Sequence, residues 1–126
     1  MEKKKIFVLD EKDNKIASLL TELGLPKPVS QSIVYFVQSN KECNSLEIES
    51  VTRLRQPEVS IATRYLRDNK WVTKRDEKKK GKGRPVHFYK LVTSMEKIVE
   101  ELEAEKKKEI EKIKKDLEEI KKFISS

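Results

Sequence analysis

A chain of 126 residues allows one domain of ordinary size with an appendage. Charged residues make up 40% of it and apolar ones 36%, so the core is modest and much of the surface is ionic. No apolar run approaches the roughly 18 residues that a membrane span needs. A single cysteine, Cys43, excludes an internal disulfide framework and fits a reducing compartment. The start, MEKKKIFVLD, is basic, but its apolar run Ile6–Leu9 is too short for a signal peptide, so a cytoplasmic protein is expected. The net charge of +7 is unevenly placed. Residues 1–52 carry 7 Lys/Arg against 8 Asp/Glu, residues 53–90 carry 13 against 4, and residues 91–126 carry 9 against 10. The whole positive excess sits in the middle segment, which favours a polyanionic partner there.

In chain order, Met1–Lys5 is a charged start and Ile6–Leu9 a short extended segment. From Glu11 to Leu23, the residues Ile16, Leu19, Leu20 and Leu23 recur at i, i+3, i+4 and i+7, which predicts an amphipathic helix. Gly24 reads as its stop, and Pro26 and Pro28 bar quick resumption. A second helix is expected over Pro28–Ser39. Its apolar residues Val29, Ile33, Val34, Phe36 and Val37 cover more than one face, so it is the expected central helix. Asn40–Asn44 reads as a polar turn. Ser45 opens a short capped helix, SLEIESVT, with Glu47 and Glu49 early in it.

After a turn at Arg53–Gln56, a helix over 57–68 has Pro57 at its first position and Glu58 in its first turn. Val59, Ala62, Thr63 and Leu66 form its core stripe, whereas Pro57, Ser60, Ile61 and Arg64 lie opposite. Asp68-Asn69-Lys70 breaks the helix. Trp71–Thr73 and Val86–Leu91 are β-prone, and the basic loop KRDEKKKGKGRP over 74–85 joins them into a hairpin. From Thr93 onward, Met95, Val99 and Leu102 and then Ile110, Ile113, Leu117, Ile120 and Ile124 follow heptad spacing. Lys106 would sit on the seam between the two runs, a stutter that locally unwinds a supercoil. Such a tail packs on a copy of itself or on a partner, or folds back on the body.

Helix, turn, helix and hairpin in this order make a winged helix–turn–helix. The segment LEIESVTRLRQPEVSIATRYLRDNKWVTKR resembles the DNA-binding half of MarR-, ArsR- and TrmB-like regulators, most of all the small archaeal predicted regulators of that group. Pro57, Val59 and Ser60 match the opening of the recognition helix, and Arg64 and Leu66 its Arg-x-Leu pattern. Gly83-Arg84-Pro85 and Phe88-Tyr89 match the wing. At the exit from the helix the family has Lys-Gly before two apolar residues, and this chain has Asn69-Lys70-Trp71-Val72. Neither a sugar-binding domain nor paired metal-sensing cysteines are present.

The expected architecture is therefore mainly α with a small β-hairpin (α+β). A winged helix–turn–helix domain spans 1–92 and a coiled-coil-like dimerisation helix spans 93–126. The expected partner is double-stranded DNA, bound by a homodimer paired through the C-terminal helix. The major groove admits a helix and displays patterned donors and acceptors. Arg64 suits a guanine edge, Gln56 an adenine and Ile61 a thymine methyl. Ser60 and the helix N-terminus, with Pro57 at its opening, suit a phosphate. Arg53 and Arg55 in the turn and Lys78, Lys79, Lys80, Lys82 and Arg84 in the wing suit phosphates or the minor groove.

Alternatives stay open for several residues. Arg64 also suits a surface pair with Asp68, and Arg67 falls near the core flank. Lys78–Lys82 also fits a solvated loop, while Trp71, Phe88 and Tyr89 fit hairpin core better than base stacking. His87, with Cys43 far off in sequence, has no metal-site spacing, and no cofactor site is read. No nucleophile–base pair or phosphate-cradling loop stands out, so an enzyme is not expected. Two other functional classes share these features: a winged helix used for protein contact, and a non-specific chromatin-like binder.

Overall fold

The computed structural model describes residues 9–78 and 85–126. The chain divides into two compact units, Met1–Ser94 and Met95–Ser126. The first runs α1 (Glu11–Glu22), α2 (Lys27–Ser39), β1 (Cys43–Asn44), α3 (Ser45–Thr52), α4 (Gln56–Asp68), β2 (Val72–Glu77) and β3 (Val86–Leu91); the second is one helix, α5 (Met95–Ser125). This is the winged helix–turn–helix followed by a long helix that the sequence predicts. The expected segment at Ile6–Leu9 lies, apart from Leu9, outside the described residues.

The core is built on α2, which packs against α1, α3 and α4. Val29, Ile33, Val34, Tyr35 and Phe36 are buried around more than one of its faces. Burial pushes the Tyr35 phenol above its ordinary range. The helix ends at Asn40, whose φ of 47° is left-handed. Asparagine tolerates that region because its short polar side chain satisfies neighbouring backbone groups.

Helix α1 presents a different face from the expected one. Leu19 and Leu23 are exposed, while Asp13, Ala17 and Leu20 turn inward. The cause is polar. Asp10 and Asp13 form a reciprocal capping box: the Asp13 N–H donates to Asp10 Oδ1 at 2.8 Å and the Asp10 N–H to Asp13 Oδ2 at 3.1 Å. Gln38 Nε2 of α2 then donates to Asp13 Oδ1 at 2.6 Å, fixing which side of α1 meets α2. Gly24 ends this segment with φ 111°, a value that glycine adopts without steric cost.

Asn40–Asn44 holds more than a turn. Cys43 and Asn44 form a two-residue strand opposite Tyr89 and Phe88, so the sheet has three antiparallel strands in the order β1-β3-β2. Asn44 rather than Ser45 caps α3: its side chain accepts from the Glu47 N–H at 2.9 Å, and Glu47 accepts from the Asn44 N–H at 3.1 Å. Strand β2 continues through Glu77, so Lys74, Arg75, Asp76 and Glu77 are paired backbone and not loop.

In the second unit, α5 is 31 residues long, about 46 Å at 1.5 Å per residue. Lys107 pairs with Glu103 at 3.2 Å and Lys112 with Asp116 at 3.7 Å, both one turn apart. At the stutter position, Lys106 pairs with Glu109 at 3.2 Å. No described helix is long and apolar enough to cross a membrane.

Candidate nucleic-acid interface

The turn between α3 and α4 is set by three residues. The Thr52 hydroxyl donates to the Ile48 carbonyl at 2.6 Å and accepts from the Leu54 N–H at 3.3 Å. Arg53 takes φ 61° and ends α3, its N–H donating to the Glu49 carbonyl at 2.8 Å. Leu54 is buried, which leaves Arg53 and Arg55 pointing outward on either side of it. The Arg55 N–H donates to Glu58 Oε1 at 3.1 Å, tying down the entry of α4. That helix begins at Gln56, one residue earlier than expected, and Pro57 lies within its first two positions.

The inner stripe of α4 falls where the periodicity predicts. Val59, Ala62, Thr63 and Leu66 are at most 2% exposed. The buried Thr63 hydroxyl donates to the Ser60 carbonyl at 3.2 Å, so it costs the core no unsatisfied group. Gln56, Pro57, Ser60, Ile61 and Arg64 are all exposed on the opposite side, with Ile61 at 58%. The surface pair weighed for Arg64 and Asp68 is not among the ion pairs of the described residues.

Arg67, at the flank of the core stripe, is exposed. With Gln56, Ser60 and Arg64 it completes a row at +4, +4 and +3 along the outer face. The +4, +4 and +3 spacing of these four residues is the signal that the sequence itself carries. Asp68, also exposed, puts one acid at the end of the same face.

The helix exits into the hairpin through Lys70, whose φ of 61° lies in the left-handed region that glycine adopts most readily. The Lys70 N–H donates to the Arg67 carbonyl at 2.9 Å and the Trp71 N–H to the Leu66 carbonyl at 3.0 Å. Trp71 and Tyr89 are buried as hairpin core, and the Val92 N–H closes the hairpin's base on the Trp71 carbonyl at 2.9 Å. Phe88, on the other side of the strand, is half-buried and carries the Arg75 guanidinium 4.8 Å above its ring.

At the root of the wing most charges are paired. Arg75 grips Glu42 with two parallel hydrogen bonds, Nε to Oε2 at 3.1 Å and Nη2 to Oε1 at 2.6 Å, and reaches Glu77 at 3.2 Å. Lys74 lies 3.8 Å from Asp76, whose Oδ1 is 2.6 Å from His87 Nδ1. The hydrogen bonds from Arg75 hold the Glu42 carboxyl below its ordinary range, and the bond with His87 does the same for Asp76. Arg75 is pushed up in turn by Glu42 and Glu77. Lys78 is exposed at the end of β2; Lys79, Lys80, Lys82 and Arg84 lie outside the described residues.

Cys43 is fully buried, its thiol donating to the Lys41 carbonyl at 3.3 Å and 3.4 Å from the Ser39 hydroxyl. Among the described residues no cluster of His, Cys, Asp and Glu is placed to hold a metal ion.

Against solved structures, the fold is similar to that of a possible transcriptional regulator from Methanosarcina mazei Go1, with a TM-score of 0.63 and 17% identity over 86% of each chain. A second likeness is to the circadian clock associated protein Pex from anabaena, with a TM-score of 0.43 and 22% identity over 68% of this chain and 81% of that one. No family model and no curated protein sequence matches the chain. At 17% identity the first likeness is one of fold.

Proposed function

We propose that this protein is a sequence-specific transcriptional regulator that binds double-stranded DNA as a homodimer. It resembles MarR-, ArsR- and TrmB-like regulators in its helix–turn–helix and wing. Residues 1–92 form the DNA-binding domain and residues 93–126 the dimerisation helix. The observation that carries this reading is the outer face of α4. Four core residues anchor the helix from one side, and Gln56, Ser60, Ile61 and Arg64 stand free on the other.

In this reading α4 enters the major groove, where Arg64 donates two parallel hydrogen bonds to a guanine edge, Gln56 reads an adenine and Ile61 meets a thymine methyl. Pro57 and Ser60 bring the helix N-terminus up to a phosphate. Arg53, Arg55 and Lys78, with Lys79, Lys80, Lys82 and Arg84 of the wing, hold the backbone without reading sequence. A dimer places two recognition helices on half-sites about 10 base pairs apart. The likeness to a possible transcriptional regulator supports the same class.

Selection from a random duplex library tests this directly. A pseudo-palindromic motif is expected, and Arg64→Ala should lose about 1–3 kcal/mol on that site while relaxing preference at one base. Equal losses on every sequence would reduce Arg64 to a phosphate contact. Enrichment of no motif would indicate an architectural binder, and absence of binding a protein-contact module.

A further inference from the structure

The far half of α5 carries an apolar seam with a charge pattern that has a direction. Ile110, Ile113, Leu117, Ile120 and Ile124 repeat at +3, +4, +3 and +4 and are 50–77% exposed. In heptad terms Ile110, Leu117 and Ile124 are a positions, and Ile113 and Ile120 are d positions. The flanking e positions, Lys107, Lys114 and Lys121, are all basic. The g positions between them, Glu109 and Asp116, are both acidic.

Two helices sharing such a seam meet in one of two ways. In parallel, each g residue faces the next e residue of the other chain. Glu109 then meets the partner's Lys114 and Asp116 the partner's Lys121, and symmetry repeats both pairs. In antiparallel pairing e meets e and g meets g, which sets lysine against lysine and acid against acid. Flanking charges set coiled-coil orientation in this way. The pairs these groups make within α5, such as Asp116 with Lys112 at 3.7 Å and Lys114 with Glu111 at 3.9 Å, are exposed and readily exchanged.

We propose that residues 107–124 pair in parallel and in register with the same segment of a second copy. The proposal rests on the homodimer reading above and gives it an orientation. Ser94 directly precedes α5, so parallel pairing brings the two points of attachment together. An antiparallel pair overlapping over 107–124 would hold them about 60 Å apart at 1.5 Å per residue.

Two experiments on the full chain test this. Ile124→Cys, the last a position, sets the two thiols against each other across the seam within disulfide reach in the parallel pair and about 25 Å apart in the antiparallel one. Mild oxidation should convert this variant almost fully to a disulfide-linked dimer, while the parent chain, with Cys43 buried, stays unlinked. Second, Lys114→Glu with Lys121→Glu should weaken self-association by about tenfold or more in light scattering, because g and e then carry like charge. Adding Glu109→Lys and Asp116→Lys should restore it. Antiparallel pairing predicts no weakening for the double variant: position 114 stays like-charged across the seam, and position 121 turns from repelling Lys107 of the second copy to attracting it.

A dimer that neither links at residue 124 nor is weakened by the double reversal overturns the proposal and points to antiparallel pairing or to another surface, such as exposed Leu19 and Leu23 on α1. A monomer overturns it too, as does a larger assembly, the known tendency of isoleucine at both a and d. Duplex binding measured on the same samples separates the two readings. Binding by an unlinked protein strikes only the orientation; a linked dimer that binds no duplex supports the pairing and strikes the DNA reading.

Discussion

Helices α4 and α5 carry the same kind of pattern and meet opposite fates. In α4 the periodic residues Val59, Ala62, Thr63 and Leu66 are at most 2% exposed. In α5 five periodic aliphatics stand at least 50% exposed. Hydrophobic spacing therefore reports that a helix has a sticky face; what covers that face is decided elsewhere in the fold. For α4 the cover is α2, which is apolar around most of its circumference.

The sharpest way to break this comparison is to truncate one leucine on each face. Leu66→Ala should cost about 2–5 kcal/mol in chemical denaturation, because it leaves a cavity in a packed core. Leu117→Ala in dilute protein should shift the unfolding of the first unit by less than about 0.5 kcal/mol, the usual range for a surface change. Similar losses at both positions would mean that the α5 face is already covered in the monomer.

A smaller effect of opposite sign is expected where α4 ends. Lys70 holds φ 61° with a Cβ that the left-handed region penalises, so Lys70→Gly should stabilise the first unit by about 1 kcal/mol in the same denaturation experiment. A loss there would show that the Lys70 side chain supplies more than the strain takes away.

The smallest effect concerns the wing, where charge rather than apolar area does the joining. Asp76 and Glu42 have carboxyls held below the ordinary range, so the folded state binds fewer protons than the unfolded one. Their contribution is present above about pH 4, the ordinary carboxylate range, and fades as pH falls through the lowered folded values. Thermal unfolding followed from pH 6 down to pH 3 should therefore show a steeper decline for the parent than for Asp76→Asn. Parallel declines would mean that the contact with His87 adds nothing to folding.

Most of the fold was legible because its helices are punctuated. Gly24, Pro26 and Pro57 and the polar turns bound them nearly where the structure does. The candidate DNA-facing residues on α4 followed from the same periodicity, since a stripe that packs inward defines the one that does not. Three features escaped. The inward face of α1 is chosen by a buried carboxylate, Asp13, bonded to Gln38 twenty-five residues away, and an apolar count has no access to that bond. The D-x-x-D spacing of Asp10 and Asp13 was the available signal. Strand β1 is two residues long and exists through its pairing with Phe88 and Tyr89, far along the chain. The later part of β2 reads as loop because Lys74–Glu77 are all charged; pairing with β3 makes it strand, and its charges pair with one another.

The Arg75–Glu42 clasp has a consequence for how DNA binding would respond to salt. Binding releases about 0.9 of a condensed counterion for each phosphate that a cation neutralises, so the slope of affinity against ionic strength counts the cations engaged. Arg75 is already neutralised by Glu42 and Glu77, and Lys74 faces Asp76. On the DNA-binding reading these two add little to that slope, which then falls short of the sequence's count of basic residues. On the same reading, salt sensitivity belongs to the α4 face, the turn and the basic residues from Lys78 to Arg84, and not to the ion-paired root of the wing.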